Sequence, residues 1–395
     1  MAQTMFRPGW IASLLLASVL VLAACAPAAA PAPAAAPAPQ PAKPAAEPAK
    51  PAAPQAAPAA QPAKPAAEAP KPAAQPAAPA KPAAQQVVEL RVGVTNIKGS
   101  MDGDALEYMA DLVEKKTNGT LKMRLFFQSL GVEQQLTQAV MTGSVDIGQL
   151  SDGNSARFSD AYHVFALPFL FKNSLNLIRV LETPVGQRQI QVFEKDTGLK
   201  LLIPLTFMVG RDIQTRSKPL RVPADIKGLK IRTVSTPVDL ATYRAWGANP
   251  TPVDWSQTYS ALQQGVIDGE NIVFPAILWA KHYEVVKHNI RLDYQGNFEQ
   301  VFINQKKFDS LSPEHQKALV EAAKETMPWQ QQHEKKRADD AGSELAKLGV
   351  TIYTPTPAEY EQWASIREKV WNEVAEQLKG KIDLKLANDL YQAQR

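Results

Sequence analysis

The sequence predicts an α/β protein with mixed, mostly parallel sheets flanked by helices and built from two similar halves. From Val87 onward, short apolar segments alternate with segments whose apolar residues recur at helical spacing, an order typical of parallel sheets covered by helices. This region comprises about 310 residues, a length that normally folds as two domains. The pattern A-x-x-x-G-x-x-D occurs at 139–146 and again at 261–268, each time where a helix end leads into a strand. The two halves therefore resemble variants of one design, although chance could also produce so short a match.

The first half is predicted to have the order strand, helix, strand, helix, strand. In chain order these segments are "VVELRVGVT", "DALEYMADLVEKKTNG", "LKMRLFF", "VEQQLTQAVMTG" and "SVDIGQL". Ligands of open α/β sheets bind beyond the carboxyl ends of the strands. We therefore expect the loop at Thr95 and Asn96, and the loop 151–155 with Ser151 and Asp152, to face a ligand. The alternative is that these polar side chains only cap helices or close turns.

The second half repeats this alternation and ends in a mostly helical segment. The predicted elements are a strand in "ADIKGLKIRTV", helices in "TPVDLATYRAWG" and "SQTYSALQQG", and a strand in "VIDGENIV". A long helix is predicted to start at Ser312, which precedes a proline at the first helical position, and to be kinked at Pro328. One amphipathic helix, "PAEYEQWASIREKVWNEVAEQL", is predicted to follow it.

The start of the chain predicts export and attachment to a membrane by a lipid. The apolar run from Trp10 to Leu22 is shorter than the roughly 20 residues that span a bilayer, and it fits a secretory signal peptide over 1–24. The sequence Leu-Ala-Ala-Cys that ends at Cys25 resembles a bacterial lipobox, so we expect lipidation of Cys25, the only cysteine. Residues 25–86 are then an anchor cysteine and an Ala/Pro-rich tether on the outer face of the cell membrane. The alternative is an uncleaved signal anchor.

Charge and motif content argue against nucleic-acid binding and against an enzyme. In residues 1–86, basic side chains outnumber acidic ones by four, which equals the net charge of +4 of the whole chain, so the remainder is near neutral. It carries no basic footprint for nucleic acid. The five histidines show no metal-ligand spacing, and neither a Walker nor a Rossmann glycine pattern occurs. We therefore expect no cofactor, no metal site and no catalytic residues.

Several separate segments carry a family resemblance. They are "VEKKTNGTLKMRLFFQSLG", "FALPFLFKN", "IKGLKIRTVSTPVDLATYRAWGANPTPVDWSQTYSALQQGVIDGENIV" and "HYEVVKH". In order and spacing they resemble the solute-binding protein of a TRAP (tripartite ATP-independent periplasmic) transporter. The resemblance implies a two-lobed periplasmic-binding-protein-like fold, with lobe I at 87–210 and 298–337, lobe II at 211–297 and 338–395, and a long helix bracing both. It also implies capture of a small organic acid in the cleft and delivery to a TRAP-type membrane permease driven by an ion gradient.

The resemblance places three ligand-binding candidates in lobe II. Arg232, in "KGLKIRTVSTPVDL", stands where the family's arginine pairs with the ligand carboxylate, and a planar guanidinium suits two parallel hydrogen bonds. The alternatives are a solvated arginine or an interlobe salt bridge. Trp255 stands where the family has an aromatic residue lining the pocket, with core packing as the alternative. Ser235 follows Arg232 on the same turn.

The sequence departs from the family pattern at two places. Many relatives have an arginine where this chain has Asp212, whereas Arg211 stands one position earlier, and adjacent strand residues point to opposite faces. Either Arg211 reaches the cleft through a local shift, or Asp212 faces it. Ile272 falls where an asparagine is common, and the neighbouring Asn271 is a possible substitute. With Phe274 close by, these positions favour a carboxylate ligand with a larger apolar part.

Two other classes of function remain compatible with these observations. One is the solute-binding lipoprotein of an ATP-driven importer, which only the membrane partner would distinguish. The other is a lipoprotein that uses the lobes for adhesion or for an unrecognised enzymatic activity, and it predicts no binding of small acids.

Overall fold

The computed structural model describes residues 87–392 and residue 394. The predicted signal peptide, Cys25 and the Ala/Pro-rich tether lie outside the described residues. Within the described part of the chain, no helix combines the length and the apolar character that a membrane span requires.

Eleven strands are found in the described residues. In chain order they are β1 (Val88–Val94), β2 (Leu121–Phe127), β3 (Ile147–Ser151), β4 (Leu199–Thr206), β5 (Arg211–Thr215), β6 (Lys230–Thr233), β7 (Asn249–Pro252), β8 (Gly269–Ile272), β9 (His288–Gln295), β10 (Phe298–Asn304) and β11 (Thr351–Tyr353).

The strands form two mixed sheets, as the sequence predicts. The first has the order β2-β1-β3-β10-β4, in which β10 runs antiparallel to β3 and β4 while β1 is parallel to β2 and β3. The second has the order β11-β9-β5-β8-β6-β7, in which β5 runs antiparallel to β8 and β9 while the other pairs are parallel. The chain passes from the first sheet to the second at 207–210 and returns at 296–297. The predicted lobe boundaries stay a prediction, because sheet membership assigns only the strands.

Helices cover both sheets and confirm the predicted α/β class. They are α1 (Met101–Lys116), α2 (Glu133–Thr142), α3 (Asp152–Ser155), α4 (Ser174–Leu181), α5 (Pro184–Thr197), α6 (Pro223–Ile226), α7 (Pro237–Ala245), α8 (Trp255–Gln263), α9 (Phe274–Trp279), α10 (Gln305–Ser310), α11 (Pro313–Lys347), α12 (Pro357–Ala364), α13 (Arg367–Gln377) and α14 (Leu384–Gln392). Short 3₁₀ helices occur at Asp160–Ala166 and His282–Glu284.

The repeated A-x-x-x-G-x-x-D pattern has the same local structure in both halves. Gly143 and Gly265 adopt positive φ angles of 80° and 74° just after α2 and α8, a backbone conformation that glycine adopts without strain. The aspartate that ends each repeat then accepts a hydrogen bond from a strand backbone: Asp146 from the N–H of Arg91 at 2.7 Å, and Asp268 from the N–H of Lys230 at 2.8 Å. The two halves therefore share this helix-to-strand design.

The 35-residue helix α11 packs against both sheets and their helices. Its N-cap Ser312 accepts a hydrogen bond from the N–H of His315, and the helix continues through Pro328. Toward the first sheet, Trp329 stacks on Tyr108 of α1, with ring centroids 4.3 Å apart. Toward the second sheet, α11 contacts α9 and β11. The single amphipathic helix predicted after it is instead two helices, α12 and α13.

Candidate functional site

A cavity lies between residues of the two sheets. On the side of the first sheet the lining comes from the ends of β1, β3 and β4, from the start of β10, and from α2 and α3. These residues are Thr95, Asn96, Glu133, Ser151, Asn154, Phe207, Asn297 and Glu299. On the side of the second sheet it is lined by residues near the start of β5, the ends of β6 and β8, and on α8 and α9: Arg211, Arg232, Val234, Trp255, Ile272 and Trp279. The cavity thus lies beyond the carboxyl ends of parallel strands, where ligands of such sheets bind.

Arg232 reaches this cavity from β6 and is only 4% exposed, so it is not a solvated surface arginine. Its Nε donates to the carbonyl oxygen of Val253 at 2.9 Å, and its Nη1 donates to Oδ1 of Asn271 at 3.4 Å. Among the described residues, no carboxylate oxygen lies within 4.0 Å of a guanidinium nitrogen of Arg232. The interlobe salt bridge of this arginine is therefore not observed. Burial, and then the nearby Arg211, lower its pKa. A buried cation of this kind favours binding of an anion.

Arg211, not Asp212, lines the cavity. Arg211 is 3% exposed, and its Nη2 lies 3.5 Å from Oδ1 of Asp152. Asp212 is fully buried behind it and forms an ion pair with Arg291 at 2.9 Å. A register shift in the β5–β9 pairing lies beside them, between Arg211 and Ile213.

Asn271 does not line the cavity but connects the two arginines. Its side-chain oxygen accepts from Arg232, and its backbone oxygen accepts from Nη1 of Arg211 at 3.4 Å. Its Nδ2 donates to the hydroxyl of Tyr294 at 3.3 Å. Asn271 is fully buried, so it holds the relative position of the two guanidinium groups without facing the cavity itself.

Trp255 lines the cavity and also packs on neighbouring rings, so both sequence-based interpretations describe part of its environment. Its ring lies 5.9 Å from the Arg232 guanidinium carbon, 5.8 Å from Trp279 and 4.9 Å from His282. Behind it, His282 pairs with the fully buried Glu270 at 2.9 Å. Ile272 adds apolar surface to the cavity.

Two candidates predicted in lobe II do not reach the cavity. Ser235 is exposed, and its neighbour Val234 contributes the lining at this turn. Phe274 starts α9 and is buried, with its ring 4.0 Å beneath the guanidinium carbon of Arg291. The apolar part of the lining therefore includes Ile272 and Trp255 but not Phe274.

On the side of the first sheet, the predicted residues gather as expected, with one difference. Ser151 is the last residue of β3 and Asp152 the first of α3, so they form a strand-to-helix junction and not a loop. Ser151 lines the cavity and donates from its Oγ to Oε2 of Glu133 at 2.9 Å. Asp152 lies behind the lining, and burial raises its pKa to about 7 although Arg211 acts to lower it. Thr95 accepts from Nε2 of Gln149 at 2.9 Å.

The sequence analysis missed seven lining residues: Glu133, Asn154, Phe207, Val234, Trp279, Asn297 and Glu299. Glu299 was the most detectable, because it is a charged residue in the strand "FEQVFIN", every residue of which is buried. Charged side chains are seldom fully buried without a partner. The other six carry no comparable signal in a single sequence.

Three lining residues offer buried acceptor atoms that have no hydrogen-bond partner in the described part of the chain. These atoms are Oδ1 of Asn96, Oδ1 of Asn297 and Oε2 of Glu299. Trp279 offers a donor, since its Nε1 is buried and equally without a partner there. Burial and the neighbouring Glu133 raise the pKa of Glu299 well above its ordinary value. Buried polar atoms are normally satisfied, so this set favours a ligand rich in hydrogen-bonding groups.

A metal site is not found in the described residues, where no group of three or more His, Cys, Asp or Glu side chains has suitable geometry. The cavity has two arginines on the side of the second sheet and polar acceptors on the side of the first. It can bind a polar anion.

Comparison with known proteins agrees with this arrangement. The 2,3-diketo-L-gulonate-binding periplasmic protein YiaO of Escherichia coli is 33% identical over 243 residues, which cover 61% of this chain and 73% of that protein. A TRAP periplasmic solute-binding protein from Roseobacter denitrificans with bound β-D-glucuronate has a TM-score of 0.72 at 25% identity, covering 78% of this chain and 100% of that chain. The sugar acid binding protein DctPAm from Advenella mimigardefordensis, in complex with galactonate, has a TM-score of 0.72 at 27% identity, covering 78% and 98%.

The family match covers a long, continuous part of the chain. Residues 93–378 match DctP, the bacterial extracellular solute-binding protein family 7. The matched region contains every residue that lines the cavity and all strands except the first five residues of β1. Since it spans well over half of the chain, this protein belongs to family 7 of the bacterial extracellular solute-binding proteins.

Proposed function

We propose that this protein is an extracytoplasmic receptor that captures a hydroxylated organic acid of the sugar-acid class between its two sheets. It delivers this ligand to a TRAP-type membrane permease for uptake driven by an ion gradient. The family membership supports the receptor role, and the cavity supports the choice of ligand.

The observation that carries the proposal is the buried Arg232 at the cavity wall, without a carboxylate within ion-pair distance in the described part of the chain. Glu270, Asp239 and Glu133 act on Arg232 only from beyond ion-pair distance. A ligand carboxylate supplies a countercharge in direct contact, and the guanidinium geometry allows two parallel hydrogen bonds. Arg211 stands beside it and provides a second cation. Because burial already lowers the pKa of Arg232, an anion that enters the cavity stabilises its charged form.

The acceptor atoms opposite the arginines favour hydroxyl groups on the rest of the ligand. Asn96, Asn297 and Glu299 each present an unpartnered oxygen, and ligand hydroxyls can donate to all three. An apolar ligand body would leave these oxygens buried and unpaired, at a cost of about 1–3 kcal/mol each. The printed ligands of the relatives, 2,3-diketo-L-gulonate, β-D-glucuronate and galactonate, belong to this chemical class. Trp255 and Ile272 then contact the carbon skeleton, in place of the larger apolar part that the sequence suggested.

Calorimetric titration tests this proposal. The protein is unfolded, freed of any co-purified ligand and refolded, and then titrated with galactonate, glucuronate, 2,3-diketo-L-gulonate, succinate and hexanoate. We expect the hydroxylated acids to bind more tightly than hexanoate. Binding of hexanoate as tightly as galactonate would contradict the ligand class, and binding of none of these acids would contradict the acid receptor. Co-purification with an ATP-driven permease would favour the alternative importer.

Replacement of Glu299 by leucine is expected to reduce selectivity for hydroxylated acids. The substitution removes the buried acceptor, so galactonate should bind about 10- to 100-fold more weakly, the loss typical of a hydrogen bond to a charged or polar buried group. Hexanoate should bind as well as before or better, because its alkyl chain makes no hydrogen bond to Glu299. Glu299→Gln, which keeps one acceptor oxygen, is the matched control. An equal loss for both acids would show that Glu299 does not read the hydroxyls.

Export and lipid anchoring belong to the same proposal. The lipobox-like sequence before Cys25 and the Ala/Pro-rich tether support attachment to the outer face of the cell membrane. We expect wild-type protein made in bacteria to incorporate radiolabelled palmitate and to fractionate with membranes, and Cys25→Ser to do neither. Unchanged labelling of Cys25→Ser would contradict the anchor.

A further inference from the structure

The β5–β9 pair contains a large irregularity where the chain crosses between the sheets. Arg211 is paired with Gln295, but two residues later Ile213 is paired with Ile290. The four residues Arg291–Tyr294 of β9 therefore stand opposite the single residue Asp212, and we call them the hinge bulge. Within it, Asp293 has a φ of 46°, which non-glycine residues rarely adopt. The hinge bulge lies directly beside both crossing segments, 207–210 and 296–297.

The side chain of Asp212 holds this bulge together. Its Oδ1 accepts from the backbone N–H groups of Leu292 at 2.8 Å and Asp293 at 3.0 Å. Its Oδ2 accepts from Nδ2 of Asn289 at 3.3 Å and pairs with Nε of Arg291 at 2.9 Å. A bulge interrupts the ladder and leaves backbone donors without a strand partner. The fully buried carboxylate supplies those partners.

The bulge is also fastened to the first crossing segment. Oδ1 of Asp293 accepts from the backbone N–H of Gly210 at 2.6 Å. A side chain at Gly210 would lie 2.8 Å from the carbonyl oxygen of Gln295, so the two segments approach too closely for any residue but glycine. The hinge bulge and the residues that lead into Arg211 are therefore in direct contact.

The position of the bulge is transmitted to both arginines of the cavity. Tyr294, its last residue, accepts from Nδ2 of Asn271, and Asn271 accepts in turn from Arg211 and Arg232. Arg211 itself is adjacent to Asp212 and pairs with the residue that follows the bulge. In a regular ladder, Arg211 and Asp212 would stand opposite successive residues of β9, without the three additional residues found here.

We propose that Asp212 is a positioning residue whose carboxylate holds the hinge bulge and thereby sets the guanidinium of Arg211 in the cavity. The inference rests on the proposed function, in which Arg211 helps to hold the ligand carboxylate. Asp212 is not among the residues that line the cavity and acts on affinity through Arg211 and its neighbours. Burial raises the pKa of Asp212 to about 7, so burying its ionised carboxylate costs free energy. The four contacts offset part of this cost.

A double-mutant cycle on the full chain tests this inference, with galactonate as the titrated ligand. We expect Asp212→Ala to weaken binding about tenfold in the wild-type background, a coupling of the size found for residues in one network. In an Arg211→Met background, Asp212→Ala should change affinity by less than about threefold, because the larger part of its effect passes through Arg211, which pairs with the residue directly after the bulge. Equal losses in both backgrounds would overturn the proposal, since a general loss of stability does not depend on Arg211.

Two further variants separate the bulge from folding. Asp212→Asn keeps an Oδ1 for the N–H groups of Leu292 and Asp293, so most of the affinity lost in Asp212→Ala should return. Asp225→Ala is the matched control: Oδ2 of Asp225 also accepts from two backbone N–H groups, those of Arg221 at 2.9 Å and Val222 at 3.1 Å, but lines no part of the cavity. It should leave affinity unchanged.

A ligand-independent measurement distinguishes failure of this inference from failure of the proposed function. Hydrogen exchange at the amides of Leu292 and Asp293 should accelerate in Asp212→Ala and not in Asp225→Ala. If the wild type binds none of the acids, the proposed function fails, and unchanged exchange at these amides overturns the present inference as well. If the wild type binds and Asp212→Ala binds equally well, only the present inference fails.

Discussion

Arg232→Met is expected to weaken binding of galactonate by about 100-fold or more, the loss that follows when one partner of a buried charge pair is removed. The buried guanidinium has no carboxylate within ion-pair distance in the described part of the chain, so a ligand carboxylate that enters the cavity loses its main countercharge in this variant. Methionine keeps much of the side-chain volume, which limits the disturbance of Trp255 and the Val253 backbone. Calorimetric titration of the refolded, ligand-free protein measures the effect.

Two further substitutions determine whether the loss belongs to the site. Arg232→Lys keeps the charge but not the planar fork, so its affinity should lie between those of the wild type and Arg232→Met. Arg244→Met makes the same substitution at an exposed arginine of α7 and should leave affinity unchanged. Wild-type affinity in Arg232→Met would remove the observation on which the proposed function rests.

The ligand-free protein is expected to be less stable at pH 8 than at pH 5. Burial raises the pKa values of Asp152, Asp212 and Glu334 to about 7. In the unfolded chain these groups titrate near pH 4, so between about pH 4 and 7 the native state holds protons that the unfolded state has released. The free energy of unfolding therefore falls as the pH rises through this window and levels off above it.

The size of this effect follows from the number of groups. Each unit of pKa shift corresponds to about 1.4 kcal/mol, so three such carboxyl groups predict a loss of several kcal/mol and a Tm lower by about 5 °C or more at pH 8. Burial raises the pKa values of Asp102, Glu133, Asp239 and Glu299 as well and acts in the same direction. Burial lowers the pKa of His163, and this one group makes the protein more stable as the pH rises.

Thermal unfolding at pH 5, 6, 7 and 8 measures this dependence. Glu334→Gln is the informative variant, because Glu334 is buried on α11, has a pKa raised to about 7, and does not line the cavity. Its Tm should change less between pH 5 and pH 8 than that of the wild type. A Tm that is equal or higher at pH 8 in the wild type would show that these carboxyl groups are ionised at lower pH than their burial implies.

The two neighbours Arg211 and Asp212 show where prediction from sequence stops. Strand alternation states that they point to opposite faces, but the face turned to the cavity depends on how β5 pairs with β9. That pairing contains three more residues on β9 than on β5, an irregularity stabilised by Asp212 itself through residues about 80 positions away in the chain. A pattern of neighbouring residues in the sequence does not indicate contacts with residues so far away in the chain.

The sequence by itself determined the α/β class, the two similar halves, the long helix from Ser312 and the candidate role of Arg232, because apolar periodicity, capping residues and family motifs are local in the chain. Only the tertiary structure decided which polar residues line the cavity. Glu299 and Asn297 come to the cleft because β10 crosses back into the first sheet, while Ser235 and Phe274 turn away at the ends of β6 and β8. The direction of a side chain at a strand end depends on packing between segments far apart in sequence, and this packing exists only in the folded protein.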